Sequence, residues 1–305
     1  MGFMKWRAWF MLVRPFTLIA PFLAVMFGSL FQLAIYNELQ LFWQNFYIVF
    51  LASIALASAQ AVGQIMNQVE DVEIDRANGK TYRPIASGEI SEEKALAVAW
   101  FFSIISILIG FSINIYYGFF IVAFLLAGVL YNIEPFRLKK RLWLNTTSLA
   151  ISRGLLPMPA AWSIFGNVED AIPWLVGSVM AVWVLAWQNT KDINDVEGDR
   201  KFGIMTPAVY HGLEKLAKII AILSFFSFFL LAIYIKAGLL PAEMTALFIL
   251  LIPTMWMLYK LFKMDFSRIS LENNELWAAF YLTLAGFYII AAAVYLIHPY
   301  ISLFS

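Results

Sequence analysis

Cysteine is absent from the 305 residues, which excludes disulfides, thiolate metal sites and cysteine nucleophiles. Histidine is nearly absent: His211 and His298 are the only two, too few for a histidine-based metal centre. Charge is scarce as well, at 13% of residues, and the net charge of +1 gives no reason to expect nucleic acid or an acidic macromolecular partner. So few charges cannot coat a soluble globule of this size. What remains is 62% apolar, and a chain of that composition belongs in lipid. Aromatic residues, at 17%, suit interfacial belts and cavity walls, although bulk lipid contact accounts for most of them.

A membrane helix needs ~20 mostly apolar residues. Such runs occur at roughly 15–36, 43–66, 94–115, 117–133, 143–165, 172–190, 213–236, 241–262 and 276–297. They are too long and too uniform for barrel strands, so the expected fold is an all-α polytopic membrane protein of about nine transmembrane helices. Lys5, Arg7 and Arg14 precede the first run, which lacks a small-residue cleavage site and is expected to be retained as helix one. Pro157, Pro159 and Pro253 lie inside spans and should bend them.

With nine spans, the loops sort the basic residues. All of the 21 Lys and Arg except Arg153 and Lys236 fall on the side of the N-terminus, from Lys5 to Lys260, Lys263 and Arg268. The opposite loops near 37–42, 166–171 and 298–305 hold none. By the positive-inside tendency, the N-terminal side is expected to be cytoplasmic, in a multi-pass protein of the cell membrane. Arg153 falls within the fifth span, where an unpaired charge is costly, so it should face the protein interior or water.

Shifting the chain by 124 positions aligns Gln64–Gly79 with Gln188–Gly203 without a gap, with seven of sixteen residues identical: Gln64, Asp71, Val72, Glu73, Asp75, Arg76 and Gly79. The first copy leaves helix two and the second helix six, so a parallel duplication is expected, with repeats at about 15–133 and 143–262, a final helix at 276–297, and one domain over 1–305. Gln60, Gln64, Asn67, Asp71 and Asp75 recur every three or four residues and share a helix face. Gln188, Asp192, Asp195 and Asp199 do the same in the second copy.

Like charges one turn apart repel, more so near lipid, so each stripe calls for a cation and two facing stripes suggest two. Carboxylate and amide oxygens without His or Cys favour Mg2+ or Ca2+, with Mg2+ preferred where few carboxylates leave room for water and phosphate oxygens. Arg76, Lys80 and Arg83 follow the first stripe, while Lys191, Arg200 and Lys201 attend the second. Metal-binding acids mixed with Arg and Lys fit a diphosphate better than a bare ion. Glu89, Glu92, Glu93, Lys94, Glu214 and Lys215 read as ordinary solvated charges.

The stretches NQVEDVEIDRANGKTYRPIASGEIS, from Asn67 to Ser91, and KDINDVEGDRKFGIMTPAVYHG, from Lys191 to Gly212, resemble the two signature regions of the UbiA-type intramembrane prenyltransferases. Asn67, Asp71 and Asp75 match the first motif, with Arg83-Pro84 in its tail. Asp195 and Asp199 match the second, with Asp192 as an extra ligand, and Arg14-Pro15 at the start of helix one is also similar to the family. Many members carry Tyr-x-x-x-Lys after helix four. Here Pro135 stands four positions after Tyr131, with Arg137, Lys139 and Lys140 beyond, and YNIEPFRLKK is closer to the chlorophyll-synthase-like and archaeal ether-lipid members.

The resemblance implies Mg2+ at Asn67, Asp71, Asp75, Asp192, Asp195 and Asp199, and diphosphate contacts from Arg83, Tyr131, Lys139, Lys191 and Arg76. It implies an acceptor or cavity set of Arg14, Ser152, Arg153, Gln64, Gln188 and Trp187. The reaction implied is transfer of a polyprenyl group from an allylic prenyl diphosphate, through a carbocation, to a membrane-accessible aromatic, quinone-precursor or prenyl-glycerol phosphate acceptor. Tyr131, Trp183 and Trp187 offer ring faces to a cation, but packing explains them equally well. The rival class is a secondary transporter with ion-coupled acids, whose acids would sit mid-membrane rather than at helix ends. A purely structural protein gives no reason to duplicate metal-ligand spacing.

Overall fold

The computed structural model describes residues 2–77, 79–166, 168–264 and 275–301. Among these there is no strand, and eight helices are long and apolar enough to cross a membrane. In lipid only intrahelical bonding satisfies the backbone of such runs. Helix α1 (Gly2–Val13) meets α2 (Ile19–Ile35) through a turn at Arg14 and the 3-10 segment Pro15–Leu18. The spans α3 (Phe46–Glu70), α4 (Glu92–Ile113) and α5 (Ile115–Asn132) follow.

The fifth expected span, at 143–165, is not among those eight and is present in pieces: α6 (Leu144–Ala150), a π turn Ile151–Leu155, and α7 (Pro157–Ser163). Pro157 has no N–H to give the carbonyl of Arg153, and the Leu156 amide reaches back five residues to Ile151 O at 3.0 Å. The Tyr288 hydroxyl lies 3.4 Å from the Arg153 carbonyl oxygen and donates to it. The second half comprises α8 (Ala171–Trp187), α9 (Leu213–Lys236), α10 (Leu251–Lys263, entered through the 3-10 segment Ala242–Leu250) and α11 (Glu275–Ile301). Arg268 and the segment 302–305 lie outside the described residues.

Helix α3 packs on α4, α5 and α2, while α8 packs on α9, and the last helix, α11, returns to lie along α2. Two apolar cores result. One joins α3, α4 and α5 around Leu56, Ile65 and Tyr117; the other joins α2, α8, α9 and α11 around Phe31, Trp187 and Tyr288. Outward faces are apolar too, with Trp100, Leu108, Phe119, Ile222 and Ile252 exposed, as a lipid-facing surface requires. Polar side chains instead gather inside. On the face away from the acidic loops, Asp170 caps α8 by accepting from the Ile172 amide at 3.0 Å. Its other oxygen accepts from Trp162 Nε1 at 3.0 Å and from the Tyr36 hydroxyl, tying three span ends together.

Close approach near the site depends on small residues. A Cβ on Gly128 would come within 3.3 Å of the Gly63 Cα, so α3 and α5 touch backbone to backbone there. Asn132 bridges them, donating to Gly63 O at 3.2 Å and Gly128 O at 2.9 Å. Gly154 lets the π turn approach α8, since a Cβ there would sit 2.5 Å from the Ala181 Cα.

Candidate active site

The duplicated sequence folds the same way twice. After α3 the chain turns at Asp71 and resumes as the short helix Val72–Ala77; after α8 and the 3-10 segment Gln188–Asp192 it turns at Asp195 and resumes as Val196–Lys201. In both turns the second aspartate's amide donates to the first one's carbonyl at 2.7 Å, Asp75 to Asp71 and Asp199 to Asp195. Both short helices end in a left-handed glycine, Gly79 at φ +69° and Gly203 at φ +67°, a conformation that other residues enter at a cost. The amides that follow, of Lys80 and Ile204, return to the carbonyls of Asp75 and Asp199 at 2.8 and 2.7 Å.

Both turns open onto one cavity of about 210 Å3, which runs from the acidic loops inward to Gln60, Phe124, Arg153 and Tyr281. Its acids are held by bases. Arg83 Nη1 lies 2.7 Å from both oxygens of Asp75, and both side chains are buried. Lys139 Nζ lies 2.7 Å from Asp71 and also donates to Asn132 at 3.2 Å. Lys80, from the first turn, crosses to Asp195 of the second at 2.7 Å. Lys191 pairs with Asp192, which also accepts from Asn145 Nδ2 at 2.9 Å; the Tyr131 hydroxyl donates to the other side of Asn145 at 2.9 Å.

Asp199 is the exception, with no ion pair among the described residues and only the Thr206 hydroxyl at 3.5 Å. Burial, and the neighbouring carboxylates of Asp192 and Asp195, push its pKa up to about 8. Burial also pulls Lys139 below the usual lysine range, although Asp71 opposes this. Arg14 enters the cavity from a left-handed backbone, φ +53°, at a cost of roughly 1–2 kcal/mol. Thr17 anchors that turn, donating to Arg14 O at 2.7 Å and accepting from Gln64 Nε2 at 2.5 Å.

Among the described residues, no three Asp, Glu, His or Cys side chains converge closely enough to hold a metal ion unaided. The donor set nonetheless fits a hard divalent cation, because every acid and amide facing the cavity from the two turns offers oxygen. Four of the five acids already hold a cationic side chain, so the site is built to balance positive charge against these oxygens.

All six expected metal residues line the cavity, as do Arg83, Tyr131, Lys139, Lys191, Arg14, Ser152, Arg153, Gln64 and Gln188. Two others do not. Arg76 is exposed, and its Nε donates to the Ala86 carbonyl at 3.0 Å; Trp187 is buried in the second apolar core at 1% exposure. Residues absent from the expected set but present on the cavity wall include Lys80, Thr17, Asn132, Asn145, Thr206, Trp277 and Tyr281. For Lys80 there was a signal, its place directly after Gly79 among the interleaved bases. For Asn145 there was none.

The sequence model of the UbiA prenyltransferase family matches residues 22–284. The digeranylgeranylglyceryl phosphate synthase of Methanosphaera stadtmanae is 28% identical over 216 residues, 70% of this chain and 72% of that protein. The bacteriochlorophyll synthase 33 kDa chain of Rhodobacter capsulatus is 33% identical, over 70% of this chain and 69% of that one. In fold, the chain is similar to a UbiA homolog from Archaeoglobus fulgidus solved with GPP and Mg2+, with a TM-score of 0.72, 21% identity, and coverage of 94% of this chain and 99% of that one.

Proposed function

The chain belongs to the UbiA prenyltransferase family, as a multi-pass membrane prenyltransferase, and from that premise we propose that its two acidic turns seat the diphosphate of an allylic prenyl donor beside Mg2+. The observation that carries this is the cross-pair of Lys80 with Asp195, which joins the first turn to the second across one cavity. The Mg2+-bound neighbour of the same fold supports the choice of ion.

Asn67, Asp71, Asp75, Asp192, Asp195 and Asp199 would hold Mg2+, two ions in our reading, one for each turn. Bound there, the metal supplies neutralisation of the charge that grows on the leaving diphosphate. The side chains do the rest. Arg83, Lys139, Lys191 and Lys80 exchange their aspartate partners for diphosphate oxygens, fixing the leaving group. As the allylic carbon–oxygen bond breaks, its electron pair leaves with the diphosphate. The acceptor's nucleophilic atom then bonds to the allylic cation and gives up a proton.

Phe124, Leu149, Leu276 and Trp277 line the walls and keep water from the cation. Relatives are named for a glyceryl phosphate lipid and for bacteriochlorophyll, and the acceptor here is a membrane-accessible lipid or aromatic molecule. The two halves, 15–133 and 143–262, form parallel repeats, a reading supported by the matching turns. The N-terminus and both turns face the cytoplasm, a reading supported by the sorting of basic residues.

Purified protein, a radiolabelled prenyl diphosphate, Mg2+ and an acceptor panel should give labelled product and stoichiometric diphosphate. Asp71→Ala and Asp195→Ala should each lower transfer by roughly a hundredfold or more. Wild-type turnover in either variant would remove that carboxylate from the site.

A further inference from the structure

Asn145 lies in the first turn of α6 at 1% exposure, and every polar atom it carries is engaged. Its backbone amide donates to the carbonyls of Arg141 at 3.0 Å and Leu142 at 3.1 Å, and the Ser148 hydroxyl donates to its carbonyl at 2.9 Å. Its side-chain Oδ1 accepts from the Tyr131 hydroxyl and its Nδ2 donates to Asp192 Oδ2, each at 2.9 Å. Lys191 closes the ring, since its Nζ bonds Asp192 Oδ1 and stands 6.0 Å from the centre of the Tyr131 ring. The contacts thus run from α5 through the broken fifth span to the 3-10 segment Gln188–Asp192. An amide both accepts and donates here, whereas a carboxylate has no hydrogen to give and an ammonium no lone pair to offer.

The two partners of Asp192 respond differently to a divalent cation. Lys191 is positive, so a cation beside Asp192 repels it and a diphosphate draws it away. Asn145 is neutral, is tied at backbone and side chain, and has no such reason to leave. Asp192 Oδ2 therefore keeps its amide hydrogen bond when the site fills, and Oδ1 is the oxygen set free. Asp71, Asp75 and Asp195 are held by lysine or arginine instead, partners that the exchange removes. A carboxylate pinned through one oxygen offers a cation the other at a fixed angle. Mg2+ demands near-ideal octahedral geometry, whereas Ca2+ is larger, takes more ligands and readily uses both oxygens of a carboxylate. We propose that Asn145 is a positioning residue that holds Asp192 as a one-oxygen ligand and thereby biases the site toward Mg2+ over Ca2+. The proposal rests on the reading above that takes Asp192 as a metal ligand, and it names the residue that selects the metal.

The test is competition for bound Mn2+, read by electron paramagnetic resonance on the full-length protein in detergent, without donor or acceptor. Wild type should release Mn2+ to Mg2+ at a concentration roughly tenfold or more below that needed of Ca2+. Asn145→Ala should weaken Mg2+ by roughly tenfold to hundredfold, the usual cost of losing a group that orients a metal ligand, and Ca2+ by no more than about threefold. Tyr131→Phe removes one hydroxyl and leaves the Asn145 amide free to turn, so it should give part of the same shift even where the alanine variant does not fold. Thr146→Ala loosens the same turn of α6 away from the cavity, removing a buried hydroxyl 3.4 Å from the Trp143 carbonyl oxygen. It should lower the melting temperature and leave the Mg2+ to Ca2+ ratio at the wild-type value.

Equal competition by Mg2+ and Ca2+ in wild type, or no bound Mn2+ at all, would overturn the proposal. So would an Asn145→Ala variant that weakens both ions alike, or a Thr146→Ala variant that shifts the ratio as far, since a merely structural asparagine predicts either result. The competition needs no turnover. Prenyl transfer by wild type, together with an unshifted ratio in Asn145→Ala, would sink this inference and leave the transfer reading standing; a shifted ratio in a protein that releases no diphosphate would do the reverse.

Discussion

Asp199→Asn should abolish prenyl transfer and at the same time stabilise the metal-free protein. Asp199 is 6% exposed and faces two other carboxylates, and its pKa is pushed up to about 8 from the ordinary aspartate range that holds in the unfolded chain. Its folded-state pKa is raised, so the native state binds the extra proton and loses stability as pH climbs from about 4 to about 8. At pH 7 the penalty relative to a neutral isostere is roughly 4 kcal/mol, at 1.36 kcal/mol for each of about three pH units, and water in the cavity will reduce it. Asparagine keeps the shape and removes the titration. Apparent melting temperatures of wild type and variant, taken without Mg2+ from pH 5 to pH 9, should start close together and diverge as pH rises, with the variant higher. The gap should stop growing above pH 8. A variant that melts lower than wild type at pH 7.5, or a gap that does not depend on pH, would refute the electrostatic account of this carboxyl.

The same proton competes with metal, so Mg2+ binding to wild type should strengthen as pH rises toward 8 and release a proton at pH 7, both measurable by calorimetry in buffers of different ionisation heat. Arg83→Ala leaves Asp75 buried without the guanidinium that meets both its oxygens, and should cost about 3–5 kcal/mol as well as donor binding, read as melting temperature and donor KM. Arg76→Ala, outside the cavity, should leave donor KM within about twofold of wild type, because removing a single exposed hydrogen bond to a carbonyl costs about 1 kcal/mol or less. A valine at Gly128 meets the backbone of Gly63 and should cost about 1–3 kcal/mol, with loss of activity because Asn132 and Lys139 shift with the helix.

The spans could be read from the chain because lipid imposes one requirement, a long apolar helix, that leaves a direct imprint on composition. Helix α9, expected at 213–236, runs Leu213–Lys236. The fifth span met the same length criterion but not the same geometry, since Pro157 removes one amide and the chain responds with a π turn that hydropathy does not register. The acidic stripes were legible for a related reason: helical spacing survives as far as the last turn. Neighbours of the stripe residues point elsewhere. Trp187 directly precedes Gln188 at the end of α8, so the helix turns it by about 100° from the cavity-facing Gln188 and into the apolar core. Arg76 follows Asp75 directly, so the helix turns it by about 100° away from the acids.

The pairing scheme lay beyond sequence reasoning because it joins residues far apart in the chain, Lys80 to Asp195 and Asn145 to Asp192. It also changes what the basic residues are for. A cluster of five carboxylates near lipid would repel itself strongly without cations, so the protein needs internal counter-charges whenever the cavity is empty. Lysine and arginine meet that need at Asp71, Asp75, Asp192 and Asp195, and the same side chains become donors to a diphosphate once divalent ions take the aspartates. One set of bases thereby serves both states, and an exchange of partners replaces the desolvation of bare charges. Asp199 has no such counter-charge among the described residues, and burial with two neighbouring carboxylates pushes its pKa up to about 8, while burial raises Asp75 and Asp192 as well in spite of their bases.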